Sequence, residues 1–403
     1  MFNLPGPQRF FRQVINDIKK NKHIVLVMPE ILHDKNITET LNILCKNNNI
    51  EEIHEADIGP HIEQDVYCAI ENTLTYGEER LPTCRDILMY PESEVRLYFL
   101  KNGYKGDPKR QKKFSRQLAM FAKETHRQEG DTEIQFIILA SPGDVIPDSD
   151  LYLAVHPWWG TVGELDTAVA IEEQLKNSPP PHWTDHYWLR SLSRGLAQGD
   201  PELGKQLVED LPKSLDEIVD SLRDYINFAP YDMNPFEVET SFYGTPQETI
   251  PTEELTLFWK CGCLNCIDGV GQQLHSSLIA SQKNGRDEIS KRIWLGQQKI
   301  LWPTLEQVRI TLITRLEAQF GKKWPKTISD GLNIDQQVLE TEIGTLSYAL
   351  YKYQTRFPNK IPKTFTALAE AWKDVRNSLA HCKMVPYGQA QKAFILFKDF
   401  LKQ

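Results

Sequence analysis

The chain has 403 residues, 40% of them apolar and 25% charged, and a formal net charge of −9. That length exceeds one ordinary core and favours two or three domains, while the composition is that of a globular protein. No run of about 18 apolar residues occurs and charges are spread through the first thirty positions, so neither a membrane span nor a signal peptide is expected. Seven dispersed cysteines then fit reduced thiols in a cytoplasmic protein better than a disulfide framework.

The net charge conceals an asymmetry. Residues 291–403 hold 18 Lys and Arg against 9 Asp and Glu, whereas residues 1–290 hold 28 against 46. A basic segment attracts polyphosphate and an acidic one repels it, so the two parts are expected to do different work. Mutual neutralisation across a domain interface would explain the same asymmetry.

In chain order, Gln8 to Asn21 places Phe10, Phe11, Val14, Ile15 and Ile18 at helical spacing and runs into the apolar stretch 23–28, stopped by Pro29. A second helical stretch covers Ile37 to Asn47. Strand-length apolar runs follow at Val95 to Leu100, Ile134 to Ala140 and Leu151 to Val155. Short apolar runs alternating with helices indicate a parallel sheet covered on both faces, so residues 1–172 read as an α/β domain. The proline run at 179–181 marks a linker into a helical middle region, 173–286, with Leu203 to Leu211 and Leu215 to Ile226 as helices and Pro230 to Thr252 as a surface connection. Residues 287–403 read as an all-α bundle built from Ile289 to Leu301, Leu305 to Phe320, Ile334 to Gln354, Thr364 to Cys382 and Tyr387 to Leu401, with a break at Pro303.

A phosphate loop is missing where the α/β domain would carry it. After the first strand a Gly-x4-Gly-Lys-Ser/Thr loop would wrap phosphates with backbone N–H groups, but Pro29-Glu30-Ile31-Leu32-His33 stands there. The near match Gly199-Asp-Pro-Glu-Leu-Gly204-Lys205-Gln206 has no preceding strand and two carboxylates in the way, and reads as a loop entering a helix. Cys261, Cys263, Cys266 and His275 could supply four zinc ligands, but only one Cys-x2-4-Cys pair is present, and a helix or tight turn buried in a core explains them better. No cofactor is called for, and a nucleotide regulator would need a pocket of backbone donors near Pro29.

Gly6-Pro7 before Arg9-Phe10, the strand ending at Pro29, Trp158-Trp159-Gly160 followed by Leu165-Asp166-Thr167, Leu274-His275-Ser276, and Gln298 ahead of Leu301-Trp302-Pro303 and Glu306 to Arg309 form a further set of features. Together they resemble the inactive STAND-type modules of bacterial conflict systems, relatives of P-loop NTPases that have lost their nucleotide motifs. The resemblance implies a sensor or scaffold that holds a protein partner or trigger.

The sharpest motif lies in the basic bundle. An Arg with a His five positions later is expected roughly once by chance in a chain this long. Here Arg376-Asn377-Ser378-Leu379-Ala380-His381 adds Asn after the Arg, a helical setting, and Trp372 upstream. The run resembles the signature of HEPN ribonucleases. RNA cleavage without metal needs a group that moves a proton near neutral pH and a fixed positive charge at the phosphorane, roles that fit His381 and Arg376. On a helix Asn377 and His381 share a face, whereas Arg376 and His381 diverge by about 140°. The resemblance implies that two copies of the motif meet across a homodimer interface, with Asn377 positioning His381 or the RNA. Against this, Arg376 could pair with Glu370 or Asp374, and His381 could simply cap the helix; a HEPN-like fold can also serve as a non-catalytic adaptor.

Overall fold

The computed structural model describes residues 1–33, 35–59, 97–125, 134–225, 251, 253–267, 271–328, 341–357 and 360–402. They group into two compact units, Met1–Asp166 with Asn234–Leu274, and Thr167–Met233 with His275–Gln403.

The first unit is an α/β sheet domain. Helix α1 (Pro5–Ile18) starts with Pro at its first turn, where a missing N–H costs nothing, and buries Phe10, Phe11, Val14, Ile15 and Ile18. It leads into β1 (His23–Val27), α2 (Ile37–Asn47), β2 (Ile53–Asp57), β3 (Leu97–Lys101), α3 (Pro108–Thr125), β4 (Gln135–Ala140) and β5 (Leu153–Pro157). The five strands are all parallel in the order β2-β3-β4-β1-β5, with Val25 opposite both Ile138 and Val155. All five residues of β1 are buried, which is why this central strand reads as an unbroken apolar run. Strand β2 escapes the sequence reading because it is an edge strand with only Ile53 buried. The side chain of Asn42 supplies part of its pairing by accepting from Ile53 N–H at 2.7 Å.

The unit also accounts for Trp158, Trp159 and Asp166. Trp158 packs against Phe2, Phe10 and Phe11, and Trp159 against Trp259. Buried Asp166 accepts from Gly6 N–H at 2.7 Å and Gly163 N–H at 2.8 Å, tying the start of α1 to the turn after β5. Gly6 is required there, since a Cβ would sit 2.1 Å from the Thr161 carbonyl oxygen. These residues form a core turn.

The second unit begins within α4 (Glu164–Asn177) and continues through α5 (Asp185–Leu196), α6 (Pro201–Asp210) and α7 (Leu215–Tyr225). Most of the expected surface connection, Pro230 to Thr252, lies outside the described residues. The chain then adds α8 (Glu253–Lys260) and an antiparallel hairpin, β6 (Leu264–Ile267) with β7 (Gly271–Leu274), to the first unit. It returns to the second unit with α9 (Ser276–Ala280), α10 (Gly285–Phe320), α11 (Trp324–Ile328), α12 (Ile343–Arg356), α13 (Lys363–Ala380) and α14 (Tyr387–Leu401). The stretch read as one helical middle region is thus divided between the units. Amphipathic periodicity shows that a face is buried without showing which partner buries it.

The structure corrects one expectation for the bundle. Helix α10 runs unbroken through Pro303 for 36 residues, where the sequence suggested two helices. An interior Pro costs about 3 kcal/mol, but Leu301, Leu305 and Val308 continue the buried stripe of Ile289 and Ile293, and the Thr304 hydroxyl donates to the Ile300 carbonyl. The expected helix from Ile334 starts at Ile343 among the described residues; its first part, up to 340, lies outside them. Helices α5 and α10 approach so closely that a Cβ on Gly296 would lie 2.1 Å from the Ser191 carbonyl oxygen, and one on Gly195 2.3 Å from that of Arg292. Around them α12, α13 and α14 complete one core centred on the fully buried Trp324 and Trp372.

Candidate nuclease motif at the end of helix α13

Helix α13 buries Phe365, Leu368, Ala369, Trp372, Val375 and Leu379. Trp372 is a packing residue whose indole N–H donates to the Ala393 carbonyl at 3.0 Å. The opposite line, spaced four, three and four, holds exposed Glu370 and Asp374, half-buried Asn377 and exposed His381. Asn377 and His381 therefore do share a face, and two carboxylates precede them on it.

The helix stops in a Schellman turn. Lys383 N–H bonds the Ser378 carbonyl at 2.9 Å and Cys382 N–H the Leu379 carbonyl at 3.3 Å, while Cys382 takes the left-handed φ of 54° that glycine usually supplies. His381 is the C-cap residue, and its N–H bonds the Asn377 carbonyl. Helix α10 fixes the segment on the C-terminal side of this turn. Fully buried Gln297 donates from Nε2 to the Val385 carbonyl at 2.9 Å and accepts from Val385 N–H at 2.8 Å. Trp294 donates from its indole to the Leu379 carbonyl at 2.8 Å. His381 thus projects from a short segment held at both ends.

Arg376 lies about a quarter-turn behind Asn377 and is 31% exposed. Its Nη2 donates to Glu342 Oε2 at 2.8 Å, and Nη1 reaches Asn377 Oδ1 at 3.5 Å. The partner is Glu342, at the N-cap of α12, in place of the expected Glu370 or Asp374. Residues two or six positions apart on a helix point in different directions, so neither of those carboxylates aligns with the guanidinium. The sequence gives no sign of Glu342, because the contact spans 34 positions. Gln297 and Trp294 were missed as well; the one hint is that a polar Gln interrupts the apolar line from Ile293 to Leu301.

Other sequence features resolve differently. Asp200 caps α6, accepting from Glu202 and Leu203 N–H groups, so the Gly199 to Gln206 segment is a loop entering a helix with its N-terminus already satisfied. Asp200 also accepts from Tyr225 Oη at 2.8 Å and lies 3.1 Å from His275 Nε2. Burial opposes its charge, but these bonds outweigh burial and hold the carboxyl below its ordinary range. His275 Nδ1 accepts from Ser277 N–H, so both ring nitrogens are engaged. Cys263 and Cys266 are buried, burial pushes the Cys263 thiol up, and among the described residues no group of three or more His, Cys, Asp or Glu is placed to hold a metal.

At the carboxyl ends of the sheet strands lies a polar cleft of about 730 Å³ beside Glu30, Lys101, Asp144 and Lys260. Lys260 pairs with Glu30 at 3.2 Å and Lys101 with Glu55, while the N–H groups of Leu32 and His33 are spent on the Pro29 and Glu30 carbonyls. Burial raises the Asp144 carboxyl despite bonds from Ser141 N–H and Gln111 Nε2.

No described helix is long and apolar enough to cross a membrane. No protein-family model matches the chain, and no curated protein is significantly similar to it.

Proposed function

We propose that the second unit is a HEPN-like endoribonuclease that cuts RNA without metal as a homodimer, controlled by the α/β unit as a sensor or scaffold in antiphage or stress defence. The observation that carries this reading is an exposed His381 held on a rigid helix terminus, with Asn377 on its face and Arg376 beside it. The excess of 18 cationic over 9 acidic side chains in residues 291–403 favours a polyanionic substrate. Control without ATP hydrolysis agrees with the first unit: β1 sits inside a parallel sheet and leads to a helix, but Pro29 and Glu30 occupy the place of the phosphate-binding glycines.

In this reading the 2′-hydroxyl loses its proton and the 2′-oxygen attacks phosphorus. The bond from phosphorus to the 5′-oxygen breaks, and the leaving oxygen gains a proton. His381 residues from the two copies move these protons, and Arg376 neutralises the charge gathering on the phosphorane. The products carry a 2′,3′-cyclic phosphate and a 5′-hydroxyl. The test is cleavage of mixed cellular RNA in EDTA by the wild type, His381→Ala and Arg376→Ala. Cutting by the wild type alone supports the assignment, and cutting that survives either substitution sinks it.

A second reading, a non-catalytic adaptor, draws on the Arg376–Glu342 ion pair and on Glu370 and Asp374 in line with His381. It expects His381→Ala to leave every RNA-dependent readout unchanged.

A further inference from the structure

Helix α12 carries an exposed face of unusual chemistry. From 343 to 369 the chain has four cationic residues, Lys352, Arg356, Lys360 and Lys363, and no Asp or Glu. On the same helix Tyr348 and Tyr351 are 48% and 62% exposed, although apolar and aromatic side chains elsewhere on it, including Leu346, Leu350 and Tyr353, are buried. The cations are interleaved with the rings. Lys352 Nζ stands 4.7 Å from the centroid of Tyr348, and Arg356 and Lys360 approach Phe357 at 5.5 and 5.4 Å. The cation–ring contacts set rings and positive charges side by side over the roughly two helical turns from Tyr348 to Arg356 and at Phe357 and Lys360 just past the helix end.

We propose that this face is a stacking platform for single-stranded RNA, whose unpaired bases lie on Tyr348 and Tyr351 while its phosphates meet Lys352, Arg356 and Lys360. Charge complementarity selects a polyanion, and exposed rings select one with free base faces; a duplex keeps its bases stacked internally and offers nothing to a tyrosine on a helix. The platform adjoins the nuclease motif through the chain itself. Glu342, the N-cap of α12, holds Arg376, and on a rise of about 1.5 Å per residue Tyr348 and Tyr351 stand about 9 and 14 Å further along the helix axis. The tyrosines lie six and nine positions from Glu342 and so on other sides of the helix, and a strand they hold passes round α12 to reach Arg376. The inference deepens the ribonuclease reading by naming single-stranded RNA as the substrate class, and it takes its place in the reaction from that reading.

The experiment measures binding apart from cleavage. Full-length protein carrying His381→Ala is titrated against a fluorescently labelled oligouridine in EDTA, with and without Tyr348→Ala plus Tyr351→Ala. The pair of substitutions is expected to weaken binding roughly tenfold per tyrosine, with Tyr→Phe at both positions restoring it. Lys352→Gln is expected to lower the salt dependence by about 0.7 in log–log slope. Absence of binding, unchanged affinity in the double alanine variant, or equal loss on an RNA duplex overturns the platform. So does a change of oligomeric state with RNA affinity intact, which would make the face a contact between copies. Binding through the tyrosines together with RNA cutting that survives His381→Ala would overturn the ribonuclease reading alone.

Discussion

The pin between Gln297 and Val385 gives the most direct test of how the fold holds the motif. Gln297→Met keeps side-chain length and nearly the same volume, so little cavity opens, but both bonds to the Val385 backbone vanish. Val385 is fully buried, so its N–H and C=O lose their partners where no water replaces them. An unsatisfied buried backbone group costs about 1–3 kcal/mol, and two give about 2–6; local relaxation brings the expected loss to about 3 kcal/mol. Hydrogen exchange of a peptide spanning 381–387 reads the local effect, and urea unfolding reads the global one. Exchange there should quicken by about two orders of magnitude while α1 to β5 remain unchanged. RNA cleavage should fall although Gln297 lies on a helix that does not carry the motif. A stability loss below about 1 kcal/mol with unaltered exchange at Val385 would show that this pair does not fix the segment after His381.

Gly296→Ala should unfold or separate α5 from α10, since the new Cβ would stand 2.1 Å from a backbone oxygen; a loss of about 3 kcal/mol or more by chemical denaturation is expected. Glu342→Gln removes the carboxylate that competes with phosphate for Arg376. Exposed ion pairs are worth about 0.2–1 kcal/mol, so cleavage at fixed RNA concentration should rise by about 1.5- to 5-fold, whereas the adaptor reading expects no change. Asp200 titrates with a definite sign. Its folded pKa lies below the unfolded value near 4, so its stabilising contribution is present above that value and is lost as pH falls through the lowered folded pKa. Acid unfolding of the second unit should accordingly flatten in Asp200→Asn, and an unchanged acid slope would contradict it.

Hydrophobic periodicity by itself determined much of this protein. It located α2, α14 and four strands to within a few residues, because a buried stripe imposes a period that survives in the sequence. It also placed Asn377 and His381 on one helix face, and the missing glycines after β1 were visible directly. Local pattern could not decide long-range partners. The polar edge strand β2 was invisible because only Ile53 is buried, and Pro303 suggested a break because the packing that offsets it comes from residues elsewhere in the bundle. The pairing of Arg376 with Glu342, the clamp of Gln297 on Val385, and the engagement of His275 by Asp200 join positions 34, 88 and 75 apart. Each depends on how elements distant in sequence are set against one another, and that placement is decided by the packed core around them.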